Sequence, residues 1–357
     1  MGERAEDSSL FELVAALGCA RVTLWSDPPS GLRAVLVVDD MTLGPAVGGI
    51  RTRAYPSLAA AIADAAALAR AMVIKTALGG VDAGGCKIVV LDHPGLDRPA
   101  GFARLGQLVA ELGGLVRTAG DLGTTIDDLA AAARHCAFVN TEHDDLTGAT
   151  ARTLVRCVEA CAEVAGGGGV AGLRVAVQGC GAIGAAAARA LAAAGARLVV
   201  ADVDAARAEA IARETGGRVV AADAILFEDV DLVCPCAIGG VITTGAADRV
   251  RAWAVCGAAN NVIAEPAAEA RLAARGILFV PDVMASSGAV IRGVSQGVMG
   301  LADATPLIDA VGTTAREILA ASRASGRLAS DLARERAFAR IERVRSSRGA
   351  AAGASPG

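Results

Sequence analysis

The stretch RVAVQGCGAIGAAAARALAAAGARLVVAD, residues 174–202, decides the fold. A β-branched run leads into Gly179-Cys180-Gly181-Ala182-Ile183-Gly184, a G-x-G-x-x-G that follows a predicted strand and opens a predicted helix reaching about Ala194. The next strand ends at Asp202, 18 residues after Gly184. Glycines at this spacing permit a tight turn and let backbone approach a pyrophosphate, which then lies on the helix N-terminus. An acidic side chain at the second strand's end can bind a ribose 2′-hydroxyl and repel a 2′-phosphate, so the expected ligand is NAD. In a chain with 43 glycines, a strand–helix turn without a ligand is the competing reading. Asp202 has strand-end solvation as its alternative role, and Arg207 leaves a phosphorylated dinucleotide open.

Outward from this stretch the pattern stays regular. A helix over 205–215 and strands at 218–220 (RVV), 231–236 (DLVCPC) and 254–257 (AVCG) continue the alternation that builds a parallel doubly wound sheet. Upstream lie the linker GGGGVAG (166–172) and a helix from about Ala149 to Val164. The first 145 residues read as a second α/β unit. It has a strand at 33–39, a glycine-punctuated segment at 43–51, a helix over 57–73 capped by Ser57, and a glycine-rich loop running into a strand over 74–92. A helix from Gly101 to Leu112, the loop AGDLGTT (119–125) and a helix from Ile126 complete it. Residues 306–343 read as helical.

With 357 residues, 54% hydrophobic and 20% charged, the chain can build about two full cores, which excludes general disorder. A net charge of -4 argues against nucleic-acid binding through bulk charge. The longest uncharged stretch, 16 residues from Leu232 to Ala247, is shorter than the about 20 apolar residues of a membrane span. Met1 to Ser9 is acidic and polar, unlike a secretory signal, and nine cysteines lie without a regular framework. Reduced thiols in a cytoplasmic protein are therefore expected.

Lys75 and Lys87 flank the glycine loop in a sequence that otherwise prefers arginine. A surface lysine is the ordinary role. A buried lysine of lowered pKa can instead act as a general base, which arginine cannot, and Asp121 in its own glycine-flanked loop is the candidate partner carboxylate.

At these residues the sequence resembles the glutamate/leucine/phenylalanine/valine dehydrogenases, most of all the leucine, valine and phenylalanine branch. The resemblance runs from about Gly31 to Gly293 through TLGPAVGGIR (42–51), AMVIKTALGGVDAGGCKIVV (71–90), TAGDLGTTIDDL (118–129), VQGCGAIG (177–184), CPCAIGGVI (234–242) and GAANNVIAEP (257–266), in that order. It implies reversible NAD-linked oxidative deamination of an apolar or bulky L-amino acid to its 2-oxo acid and ammonia. By the same resemblance Lys75 holds the substrate carboxylate, Lys87 activates the water that attacks the iminium carbon, and Asp121 exchanges a proton with the amino group or ammonia. Gly48, Gly49 and Met72 join the substrate side. Thr147, Cys236, Ala237 and Asn260 join the cofactor side with the glycine turn, and Asn261, or else Asn260, contacts both ligands. The implied architecture is two α/β domains with a cleft. Residues 10–147 form the substrate-binding and oligomerisation domain and 148–290 a Rossmann-type NAD-binding domain. Helices over 291–343 pack back on the first domain, and 344–357 form a disordered tail. Family enzymes are oligomers, so a homo-oligomer is expected, with no nucleic-acid or membrane partner.

The departures bear on substrate. The family's third glycine before the catalytic lysine is Cys86, its glutamate before the catalytic aspartate is Gly120, and its pocket asparagine is Ser286. Val290 is kept, a second pocket position is Gly293, and Arg292 lies between them. Two glycines in the wall suggest a larger side chain than leucine, aromatic or polar; branched-chain specificity with repacking is the alternative. Two other readings stand beside the dehydrogenase: an imine reductase that needs no ammonia, and an inert NAD-binding regulator. Cys234-Pro235-Cys236, Cys157 with Cys161, and the histidines 93, 135 and 143 match no metal spacing, so no metal is expected. The basic run from Arg334 to Arg348 reads as a solvated helix face.

Overall fold

The computed structural model describes residues 7–141 and 145–353. The chain forms two compact units: one runs through Ala77, resumes at Val81 and takes in the chain from Ala337, and the other holds Leu78–Gly80 and the rest up to Arg336. His143 lies outside the described residues.

The first unit is a five-stranded mixed sheet. Helix α1 (Asp7–Leu17) precedes β1 (Arg21–Asp27), β2 (Leu32–Asp40) and β3 (Ala46–Arg53); α2 (Leu58–Leu78) leads to β4 (Gly84–Leu91), α3 (Arg98–Ala110), β5 (Val116–Gly120) and α4 (Ile126–Ala133). The strand order is β1-β2-β4-β3-β5, with β3 parallel to both β4 and β5. Both faces of this sheet are covered, which is why β2 and β4 carry the consecutive apolar residues 34–38 and 88–91. Leu36, Ile50 and Ile88 pack with Phe102 and Leu105 on one face, and Val35, Val37 and Val89 pack with Ile62 and Ala65 of α2 on the other. The segment read as glycine-punctuated is β3, a central strand. A Cβ on Gly48 would stand 1.9 Å from the Cys86 carbonyl oxygen, so glycine is what permits the close approach of β4.

The second unit is a six-stranded parallel sheet. After α5 (Leu146–Val164) come β6 (Arg174–Gln178), α6 (Ala182–Ala193), β7 (Arg197–Ala201), α7 (Ala205–Thr215), β8 (Arg218–Val219) and β9 (Leu232–Pro235). Then follow α8 (Thr244–Arg249), β10 (Ala254–Cys256), α9 (Pro266–Ala274) and β11 (Leu278–Val280). The order β11-β10-β9-β6-β7-β8 reverses between β6 and β9, the switch point at which doubly wound sheets bind dinucleotides.

The C-terminal third departs from expectation. It forms α10 (Asp282–Ala285), α11 (Gly288–Met299), α12 (Thr305–Ser325) and α13 (Ala329–Gly353). The helix expected over 306–343 is two, separated at Gly326, whose φ is +71°. α11 and α12 pack on α5 inside the second unit; a Cβ on Gly288 would lie 2.2 Å from the Ala149 carbonyl oxygen. Only the chain from Ala337 groups with the first unit. The tail expected to be disordered from 344 is helical through Gly353, and 354–357 lie outside the described residues. Nor is the basic run merely solvated. Arg340 donates to the carbonyls of Thr76, Ala77 and Val81 at 3.2, 3.1 and 3.0 Å, closing the C-terminal end of α2.

Candidate functional site

In the first unit, sheet register assembles a charge cluster around a buried lysine. Lys87 is on β4 and only 5% exposed; Asp121 follows the last residue of β5. Lys87 Nζ lies 2.7 Å from Asp121 Oδ2. The same oxygen accepts from Arg51 Nε at 2.9 Å, and Arg51 reaches Asp64 at 3.2 Å. Burial pushes the Lys87 amine below its ordinary value, opposed by Asp121 and reinforced by Arg51. Burial alone would raise Asp121, but Lys87 and Arg51 outweigh it and hold the carboxyl below its ordinary range. An ionised carboxylate beside a lysine that can lose its proton is a pair equipped for general acid–base chemistry.

Gly49 borders this pair: a Cβ there would lie 3.0 Å from Asp121 Cβ and 3.2 Å from Lys87 Nζ. Gly48, also placed in the site by sequence, packs on Cys86. Gly120 directly precedes Asp121, and a Cβ there would meet only the end of Leu129, at 3.1 Å. Met72 and the buried Lys75 lie one turn apart on α2. Burial pushes the Cys86 thiol up to about 12, so it stays neutral beside Lys87.

In the second unit the glycines divide the work. Gly179 has φ +93°, and a Cβ on it would strike Ala237 at 2.7 Å. On Gly184 a Cβ would lie 1.9 Å from the Gly179 carbonyl oxygen, so this glycine seats α6 on the turn. On Gly181 it would meet nothing within 4 Å. Gly181 is the α6 N-cap and supplies no side-chain cap, which leaves open space in front of first-turn N–H groups beside Ala182 and Ile183. That cradle fits a pyrophosphate. The loop after β9 closes against it, with Cys236 N donating to the Gln178 carbonyl at 2.8 Å. Asp202 Oδ2 accepts from Cys180 N at 2.6 Å and Oδ1 from Asp204 N at 2.8 Å, which fixes the carboxylate at the rim of the turn. Arg207 pairs with Asp204 at 3.1 Å.

The loops after β9 and β10 are tied by Gly240 N to the Asn261 carbonyl at 2.7 Å. Asn261 is the one non-glycine with positive φ, +55°, among the described residues. Its N–H donates to Asp282 Oδ2 at 2.9 Å, and Asn260 adjoins it in this strained turn. Ser286 donates its hydroxyl to the Asp282 carbonyl at 2.6 Å, within its own turn. Thr147 is in the first turn of α5; its neighbour Leu146 lies 3.4 Å from where a Gly293 Cβ would stand, on α11 with Val290.

Arg51 closes the motif TLGPAVGGIR, and the sequence assigns it no role. Its signal lies in strand alternation and in the pairing of Ile50 with Gly120, which a glycine-punctuated reading of 43–51 does not reveal. Among the described residues no group of three or more His, Cys, Asp or Glu side chains is placed to hold a metal ion, and no helix is long and apolar enough to cross a membrane. His93 bridges Gly31 and Gly95, a loop-bracing role.

Known proteins match both units. The sequence profile described as "Glu/Leu/Phe/Val dehydrogenase, dimerisation domain" matches residues 21–138, and that described as "Glutamate/Leucine/Phenylalanine/Valine dehydrogenase" matches 202–299. A leucine dehydrogenase of Bacillus subtilis is 32% identical over 95% of this chain and 96% of its own length. A valine dehydrogenase of Streptomyces coelicolor is 36% identical over 77% of this chain and 79% of its own. The crystal structure of L-tryptophan dehydrogenase from Nostoc punctiforme superposes with a TM-score of 0.84 at 29% identity, covering 94% of this chain and 99% of that one. With its two sheets and dinucleotide turn, the chain belongs to the Glu/Leu/Phe/Val dehydrogenase family of amino acid dehydrogenases.

Proposed function

We propose that this dehydrogenase uses NAD to convert an L-amino acid reversibly to its 2-oxo acid and ammonia. The observation that carries the reading is the ion pair of the buried Lys87 with the half-buried Asp121, in which burial drives the lysine towards its neutral form. Lys75 binds the substrate carboxylate as a point charge. Neutral Lys87 takes the proton of the water that adds to the iminium carbon, and Asp121 exchanges a proton with the amino group and then with the departing ammonia. NAD, when bound, supplies the hydride acceptor. Gly179, Gly181, Ala182, Ile183 and Gly184 would hold its pyrophosphate, Asp202 its adenosine ribose, and Thr147, Cys236, Ala237, Asn260 and Asn261 its remaining polar edges. Asp202 favours the unphosphorylated cofactor, and Arg207, already paired with Asp204, offers a 2′-phosphate little.

The substrate side chain is larger than leucine's, aromatic or bulky and polar. The support is that Gly120 and Gly293 each face only the tip of one leucine, so the pocket walls carry little bulk there. Met72, Gly48, Gly49, Ser286 and Val290 complete the substrate side. The profile described as a dimerisation domain supports a homo-oligomer formed through the first unit; a cytoplasmic location is part of the same proposal. The test is NADH oxidation with ammonia against branched, aromatic and bulky polar 2-oxo acids. Fastest turnover of an aromatic or bulky polar acid is expected; fastest turnover of the valine and leucine acids would return the pocket to branched-chain specificity.

A further inference from the structure

The Lys87–Asp121 pair is held by a third charged side chain to which no role has been assigned. We propose that Arg51 is a positioning residue of the deamination: braced by Asp64 and Tyr55, its guanidinium clamps Asp121 Oδ2 so that the carboxylate keeps one fixed, ionised place beside Lys87. This rests on reading Lys87 and Asp121 as the proton-transfer pair.

The geometry is a chain of alternating charge. Arg51 Nε and Lys87 Nζ meet the same oxygen, Asp121 Oδ2, at 2.9 and 2.7 Å. The other edge of the guanidinium reaches both oxygens of Asp64, at 3.2 and 3.3 Å. Asp64 in turn accepts the Tyr55 hydroxyl at 2.5 Å. A planar group bonded on two edges cannot swing, and only arginine spans two carboxylates this way. The fold dictates the meeting: Arg51 leaves β3 beside the end of β5, Tyr55 sits in the connection to α2, and Asp64 projects from α2.

The charge logic gives the clamp a second consequence. With Asp121 as its sole charged neighbour, Lys87 would keep its proton on the ammonium; a second cation on the same oxygen opposes that. The charged and titratable groups facing Lys87 are Asp121, Arg51 and the neutral Cys86 thiol; those facing Asp121 are Lys87 and Arg51, with the Leu122 N–H. Arg51 faces Asp121 and Asp64, and Tyr55 faces Asp64, Arg51 and Arg53.

The test exploits a property of the sequence: Lys75 and Lys87 are its only lysines. Cyanate labelling across a pH series, read by peptide mass at each lysine, titrates Lys87 without needing turnover, with Lys75 as internal reference. In Arg51→Gln the midpoint of Lys87 labelling is expected to move up, and in Tyr55→Phe to move up by less. In turnover, Arg51→Gln should lower kcat by about tenfold to a hundredfold with KM for the 2-oxo acid within about threefold, and carry the acid limb of the oxidative pH profile upward with the labelling midpoint. Labelling curves that superpose on the wild type in folded Arg51→Gln protein, or a loss confined to KM, overturn the clamp. If Arg51→Gln does not fold, Tyr55→Phe decides, and an unchanged Lys87 midpoint in it overturns the clamp. A wild type that deaminates no amino acid but whose Lys87 midpoint moves in Arg51→Gln keeps the clamp and overturns the functional reading instead.

Discussion

The two units build their halves of the chemistry by opposite means. In the first, cations from β3 and β4 converge on one carboxylate oxygen at the end of β5, an acidic side chain of α2 braces one of them, and burial tunes the lysine. In the second, side chains are withheld: three glycines bend the turn, seat a helix and leave an open cradle. The first should therefore yield to a change of charge that leaves the fold intact, and the second to a single added methyl group.

The largest effect should come from the charge cluster. Asp121→Asn keeps the shape but removes the charge that Lys87 and Arg51 share; kcat should fall by about a hundredfold to ten-thousandfold, while NADH affinity by fluorescence titration stays within about twofold. Unchanged turnover would remove Asp121 from the chemistry. Within the turn, two neighbouring alanines should behave differently. Gly184→Ala drives a methyl into the Gly179 carbonyl, 1.9 Å away, and should cost about 1–3 kcal/mol of stability in thermal unfolding. Gly181→Ala puts its methyl into open space at an ordinary φ of -68°; the melting point should hold while NAD affinity drops about tenfold, or about 1.4 kcal/mol. If both variants lost only stability, the cradle would not be a ligand site.

Asp202→Ser should weaken NAD by about tenfold and narrow its advantage over NADP, because one substitution removes both the ribose acceptor and the repulsion of a 2′-phosphate. The smallest effect belongs to Ser286→Ala. Since that hydroxyl bonds the Asp282 carbonyl in its own turn, its loss should cost about 1 kcal/mol or less, with turnover within about threefold. A hundredfold loss would mean that the hydroxyl leaves its helix to serve the substrate.

Legibility in the sequence follows the same division. The dinucleotide turn was readable because Gly179, Gly181, Gly184 and Asp202 fall within one continuous strand–helix–strand stretch whose spacing is itself the geometry. The Arg51 clamp was not, because it exists only once β3 pairs with β5, and β3 hid behind Gly44, Pro45, Gly48 and Gly49. β1 escaped notice as an edge strand with polar residues among its seven, and β11 as a three-residue strand too short to show a period. The helical pattern over 306–343 is legible in the sequence, its division at Gly326 is not, and helical periodicity cannot say which unit a helix covers. That choice rests on contacts such as Gly288 against α5.

The central claim is that Lys87 performs deamination chemistry with NAD, and one assay set tests it most directly: NADH oxidation with a 2-oxo acid, with and without ammonia, in wild type and Lys87→Ala, together with the pH profile of the reverse reaction. Turnover should require ammonia and fall at least about a thousandfold in Lys87→Ala, with NADH binding unchanged. Because burial lowers the Lys87 pKa, the neutral amine gains as pH rises, so the oxidative rate should climb with pH and level off below the pH at which an ordinary lysine titrates. Turnover that survives in Lys87→Ala, or that proceeds as fast without ammonia, would contradict that claim.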